Sequence, residues 1–189
     1  MLNLPNFLTL IRILTIPFFL VYLSYHRYLE ALIIFVIGGV TDFLDGLAAR
    51  LMKQQTALGA YLDPIADKLL VITSFIVLGL FGGIPMWLAV IVVSRDILIL
   101  MGYGIIYFLV DDERLEVQPS FVGKCSTMLQ LLTLGVALAM LHNPKIIDLL
   151  WRDFLIGATA TATILSGVQY LYRGFLWLQN KAPSIKRIS

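Results

Sequence analysis

Residues 41–70 read TDFLDGLAARLMKQQTALGAYLDPIADKLL, with four aspartates, Asp42, Asp45, Asp63 and Asp67, between flanks that are almost wholly apolar. Asp42 and Asp45 are three residues apart and Asp63 and Asp67 four apart. On a helix either spacing puts both members of a pair on one face. Lys53, Gln54, Gln55 and Thr56 form a short polar link between the pairs, so the stretch reads as helix, link, helix. Asp42 precedes Arg50 by eight residues and Asp67 follows Gly59 by eight, which puts each about 12 Å inside its helix end. Asp45 and Asp63 lie nearer the ends. Two antiparallel neighbours would therefore carry four carboxylates at matched depth.

The rest of the chain says what surrounds them. Of 189 residues, 59% are hydrophobic and 14% charged, against about 25% charged in a soluble domain; the mean hydropathy is +0.89. This is the composition of an integral membrane protein, and the length allows about six spans of roughly 20 residues. A formal charge of +2 gives no reason to expect nucleic acid as a partner. The single cysteine, Cys125, excludes an internal disulfide and reads as a small apolar residue. No basic region precedes the first apolar run, so that run reads as a membrane helix and not as a cleaved signal.

Taken in order, helix 1 begins at Pro5 or Asn6 and runs to about 25, with Pro17 a candidate kink, and His26 and Arg27 make a turn. Helix 2 spans about 28–50, the link 51–60 and helix 3 about 60–81. Gly82, Gly83 and Pro85 form a tight turn before helix 4 at about 86–110, which carries Ser94, Arg95 and Asp96 in its interior. The segment DDERLEVQPS at 111–120 is a polar loop, helix 5 spans 121–141, 142–153 is a second polar loop, and helix 6 runs to about 179. The expected fold is all-α with six transmembrane helices in one domain, 1–180. A basic cytoplasmic tail, 181–189, follows it, and the last ten residues, NKAPSIKRIS, read as disordered. With the N-terminus inside, Arg50, Lys53, Arg114, Lys124, Lys181, Lys186 and Arg187 fall on the cytoplasmic side and Arg27, Lys145 and Arg152 opposite, as the positive-inside rule requires.

Four carboxylates in a low-dielectric site repel one another. Either some are protonated or cations sit between them. Hard oxygen donors suit Mg²⁺ or Mn²⁺, and Mg²⁺ often shares its shell with substrate phosphates. Gly46 and Gly59 let a ligand or a neighbouring backbone approach closely, Ala49 keeps that wall low, Arg50 can reach a phosphate or base, and Thr56 offers a hydroxyl. The bland reading is four half-exposed helix-end residues. Four in register beside glycines fit it poorly, and carboxylates inside a membrane are functional by default.

The run Asp42-x-x-Asp45-Gly46-x-x-Ala49-Arg50, eight residues, then Gly59-x-x-x-Asp63-x-x-x-Asp67 resembles the signature of the CDP-alcohol phosphotransferases at every fixed position. Leu4-Pro5-Asn6-x-x-Thr9-x-x-Arg12 and Pro119-Ser120-x-x-Gly123-Lys124-x-x-Thr127 resemble the phosphatidylglycerophosphate synthase and cardiolipin synthase branches. The resemblance implies six transmembrane helices, commonly in a homodimer, with the active site facing the cytoplasm from a bacterial inner membrane. It implies two divalent ions, Mg²⁺ or Mn²⁺, held by Asp42, Asp45, Asp63 and Asp67. Asp67 would also be the general base that deprotonates the acceptor alcohol for attack on the β-phosphorus of CDP-diacylglycerol, with CMP leaving. Gly46, Arg50 and Thr56 would contact the CDP moiety, with Pro5 and Asn6 close to the nucleotide.

The signature does not fix the acceptor, which is a small or a lipid alcohol. Arg95 reads equally as half of a structural pair with Asp96 and as a ligand for a phosphate on the acceptor. Lys124 follows a glycine in a motif-like run and is the second acceptor candidate. With Arg12 they favour glycerol 3-phosphate. Phosphatidylglycerol, giving cardiolipin, is the alternative, because the glycerophosphate branch more often shows Arg-Glu where this chain has Arg95-Asp96; inositol phosphate and serine rank lower. From a different class, a divalent-cation transporter would want polar residues through the whole bilayer, whereas these cluster in one half; a non-catalytic lipid-binding protein has little in its favour. Trp and Tyr side chains read as interface anchors among membrane lipids, and His26 and His142 as loop residues with no metal role.

Overall fold

Backbone is described for residues 4–52, 57–109 and 120–185 of the computed structural model, and side chains for 14–41, 68–102, 120–176 and 179. Six helices account for it, with no strand among the described residues: α1 (Leu4–Ser24), α2 (Tyr28–Met52), α3 (Ala57–Leu80), α4 (Met86–Leu109), α5 (Phe121–His142) and α6 (Leu149–Ile185).

Local chemistry sets the turns. The N–H of Arg27 bonds the carbonyl of Tyr22 and that of His26 bonds Leu23, while His26 takes a left-handed φ of 57°. This is a Schellman closure. Residues 78–83 repeat it: Gly83 bonds Leu78, Gly82 bonds Gly79, and Gly82 has φ 75°. A glycine carries that backbone at no steric cost. His26 has its Nδ1 2.7 Å from the Tyr28 hydroxyl, and its ring meets that of Phe81 with centroids 5.7 Å apart, so the two turns touch. At the same end, Gly83 lies against Leu141 near the close of α5, and Gly83 and Ile84 share a small cavity with Arg152 and Ile156 at the start of α6. All three turns therefore gather at one end. The helices alternate up and down, and α1, α3 and α5 begin at the opposite end.

The bundle is apolar outside, and its interior holds polar side chains beside an apolar core. Phe18, Trp151 and Leu150 are 61%, 68% and 84% exposed, whereas Asp96, Gln130, Thr159, Thr163 and Ser166 are each at 0%. An apolar core of Phe19, Leu23, Phe35, Val71, Phe75, Leu78, Leu88, Val92, Leu134 and Leu138 joins α1 to α5. Between α5 and α6 runs a hydroxyl seam in which Ser126 meets Thr163 at 3.1 Å, Thr133 meets Thr159 at 2.7 Å, and Gln130 Nε2 donates to both Ser126 and Thr163. Apolar exteriors with hydroxyls as interhelical glue are what lipid surroundings select. Among the described residues, Phe121–His142 and Leu149–Leu176 are long and apolar enough to cross a membrane, and Leu14–Ser24, Tyr28–Thr41 and Lys68–Leu80 are shorter apolar stretches.

Three expectations change. Helix continues to Met52 and resumes at Ala57, so the link is shorter than 51–60. The second polar loop ends before Leu149, because the Asp148 carbonyl accepts the Arg152 N–H and opens α6. The tail read as disordered is helical as far as Ile185. At 37 residues, α6 is about 55 Å long, well beyond the roughly 30 Å hydrocarbon layer.

Candidate active site

Along their own helices the two aspartate pairs stand at matched depths. Asp42 stands ten residues before the end of α2 and Asp67 ten after the start of α3, about 15 Å from each end. Both pairs lie in the halves of α2 and α3 away from the three turns. Among the described residues, α2 packs on α1 and α5, and α3 on α1, α4 and α5. The side chains of Asp42, Asp45, Asp63, Asp67, Gly46, Arg50, Pro5 and Asn6 lie outside those described, and Thr56 lies outside the described residues altogether. As a donor set, four carboxylates at DxxD and DxxxD spacing fit hard divalent ions.

The residue immediately after Asp67, Lys68, is charged and half-buried. Lys68 Nζ lies 3.1 Å from both Oδ1 and Oδ2 of Asp96 on α4. Asp96 Oδ1 also accepts from Arg95 Nη1 at 2.6 Å. Arg95 Nη2 donates to Ser166 Oγ of α6, and the guanidinium carbon sits 5.7 Å from the centre of the Tyr170 ring, within cation–π range. Arg95 and Asp96 are both buried. Among the described residues, Lys68 and Arg95 thus share one carboxylate, two cations to one anion, with Arg95 and Asp96 in the interior, where charge is costly unless paired. Arg95 Nε is buried with no hydrogen-bond partner among the described residues. Such a cluster is suited to an anion.

Tyr170 also links Arg95 to the start of α5. A Cβ on Gly123 would stand 3.2 Å from the Tyr170 hydroxyl and 3.1 Å from Ser120 Oγ, so only glycine fits this crossing without displacement. Ser120 caps α5 by accepting the Gly123 N–H at 3.0 Å. Lys124, one residue on, is exposed. Of the two acceptor candidates, then, Arg95 is built into the interior and Lys124 lies on the outer surface of the same end. Lys68, Ser166 and Tyr170 were not singled out from the sequence. The one available signal was a lysine inside an apolar helix, with an aspartate inside the next.

An all-helical bundle with a lipid-type exterior, carrying a paired-carboxylate signature on two consecutive helices and a cationic cluster beside it, is the architecture of a membrane protein. The chain belongs to the CDP-alcohol phosphatidyltransferase family, whose model matches residues 2–169. It is similar to the CDP-diacylglycerol–glycerol-3-phosphate 3-phosphatidyltransferase of Haemophilus influenzae, at 35% identity over 89% of this chain and 91% of that one. The Bacillus subtilis protein of the same name is 30% identical over 93% and 96%. A Drosophila melanogaster protein named as a probable cardiolipin synthase (CMP-forming) is 32% identical over 95% of this chain and 61% of its own length.

Proposed function

We infer that the protein transfers the phosphatidyl group of CDP-diacylglycerol to glycerol 3-phosphate, releasing CMP and forming phosphatidylglycerophosphate. The observation that carries the acceptor is the Arg95–Asp96–Lys68 cluster, which has two cations to one carboxylate among the described residues and stands directly after Asp67. A phosphorylated acceptor would give these cations an anionic partner, and two relatives similar over nearly their whole length bear the name of this activity.

In this reading Asp67 accepts the proton of the acceptor's primary hydroxyl, whose oxygen forms the new bond to the β-phosphorus. The bond from that phosphorus to the bridging oxygen breaks, and the oxygen leaves with CMP. Asp42, Asp45, Asp63 and Asp67 would hold two divalent ions, Mg²⁺ or Mn²⁺, which when bound neutralise charge on the pyrophosphate and the leaving oxygen. Gly46, Arg50, Thr56, Pro5 and Asn6 are assigned to the CDP moiety, Arg95 to the acceptor phosphate, and Lys124 to drawing the anion toward the site.

Six membrane spans are proposed, with both termini and the site on the cytoplasmic face of a bacterial inner membrane. The turn end carries only Arg27, Lys145 and Arg152, against the seven lysines and arginines assigned to the aspartate end, and that excess supports this orientation. The membrane domain is assigned to 1–180, the basic segment 181–189 to the cytoplasm, and the working form to a homodimer. Similarity to the Drosophila protein keeps phosphatidylglycerol as a second acceptor. Purified protein supplied with CDP-diacylglycerol, Mg²⁺ and each acceptor in turn tests the assignment. CMP release that requires glycerol 3-phosphate supports it, and release with phosphatidylglycerol alone transfers the assignment to cardiolipin synthesis.

A further inference from the structure

The α3–α4 hairpin is closed by the turn at residues 81–85, but its charged contact lies far from that turn. Lys68 is twelve residues before Leu80, about 18 Å along the helix. Between the turn and Lys68 the two helices meet through apolar side chains such as Val71, Phe75, Leu88 and Val92. Lipid tails are as apolar as these side chains, so such packing resists a sliding movement weakly. The Lys68–Asp96 contact resists it strongly, because a slip would leave a fully buried carboxylate short of a partner. Asp96 in turn holds Arg95 Nη1, and Ser166 and Tyr170 fix the rest of the guanidinium.

We propose that Lys68 and Asp96 are positioning residues for the transfer: their ion pair locks the register of α3 against α4, so that the Asp67 position and the Arg95 guanidinium keep a fixed separation. A slip of one residue moves a helix by about 1.5 Å, and a displacement of about 1 Å at a reacting group can cost roughly 10²-fold in rate. The inference rests on the reading above, in which Asp67 takes the proton and Arg95 meets the acceptor phosphate. It adds residues that touch neither reactant.

The test is steady-state CMP release by the full chain in detergent or lipid nanodiscs, with each substrate varied separately, for Lys68→Met, Asp96→Asn, Lys68→Arg and the Lys68→Met/Asp96→Asn pair. The expected result is a kcat about 100-fold lower in each disrupting single variant. The acceptor KM rises, while the CDP-diacylglycerol KM stays within about twofold of wild type. The double variant is no worse than the poorer single, and Lys68→Arg recovers most of the rate. If Asp96→Asn does not fold, Lys68→Met, at the partly exposed end of the pair, carries the test beside Lys68→Arg. Donor and acceptor KM values rising together, no rescue by arginine, or rates within about twofold of wild type in folded protein would overturn the proposal. Wild type is run with both glycerol 3-phosphate and phosphatidylglycerol. Turnover with the second alone would correct the acceptor assigned above, and the same split in KM, read with that acceptor, would still decide the role of Lys68 and Asp96.

Discussion

The hydroxyls of Thr133 on α5 and Thr159 on α6 lie 2.7 Å apart in the bundle interior. Ser126, Thr163 and Gln130 continue the seam, and together they hold α6 against α5 and so set Tyr170 beside Gly123. In a soluble protein apolar burial would dominate such an interface; in lipid the hydroxyl pairs take a larger share. A double-mutant cycle on Thr133→Val and Thr159→Val should give a coupling of about 0.6 kcal/mol, with roughly 1.7 as an upper bound, read from unfolding in a fixed detergent. A coupling near zero would mean that the seam only fills space.

Ser166 is the neutral anchor of Arg95. Its replacement by alanine removes a hydrogen bond to a charged donor inside the bundle, a loss of about 1.5–3 kcal/mol. Thermal unfolding should register that loss, and the acceptor KM should rise while the CDP-diacylglycerol KM holds, because Arg95 loses orientation and keeps its charge.

Two glycines on α5 should respond in opposite ways to alanine. At Gly123 the new methyl meets Ser120 Oγ and Tyr170 Oη at 3.1 and 3.2 Å, whereas at Gly135 nothing lies within 4 Å. Gly123→Ala should lower both melting temperature and activity by spreading α5 from α6. Gly135→Ala should preserve activity and hold or raise the melting temperature, since alanine is the better helix former by about 1 kcal/mol.

Chelation with EDTA should abolish CMP release, and Mg²⁺ or Mn²⁺ should restore it. Asp67→Asn should lower kcat by about 10²–10⁴-fold, the usual worth of a general base, in protein that still folds. Full activity in Asp67→Asn would remove Asp67 from the role of base without touching the family assignment.

Much of the architecture is legible in the sequence because its punctuation is strong. His26-Arg27, Gly82-Gly83-Pro85 and Pro119-Ser120 place the starts of α2, α4 and α5 at Tyr28, Met86 and Phe121, where the structure has them. The start of α6 is misread because Arg152 and Asp153 look like loop residues; they pair with each other on the exposed first turns of the helix. The link 51–60 is overestimated because the polar run 53–56 and Gly59 read as one break, whereas Leu51 and Met52 belong to α2 and Ala57, Leu58, Gly59 and Ala60 to α3. Lys68 escapes notice because its partner lies 28 residues away, and periodicity within one helix carries no information about which residue of the next it will meet. The spacing of the four aspartates is a property of the sequence and is retained in the helical backbone, while their joint coordination of metal remains part of the proposal.

The central claim is the reaction itself, and identification of the lipid product tests it most directly. Purified protein is incubated with CDP-diacylglycerol, Mg²⁺ and equal amounts of glycerol 3-phosphate and phosphatidylglycerol, and the lipids are resolved by mass spectrometry alongside a CMP assay. The account predicts phosphatidylglycerophosphate formed mole for mole with CMP. Cardiolipin as the product would contradict the acceptor, and no CMP with either acceptor would contradict the transfer.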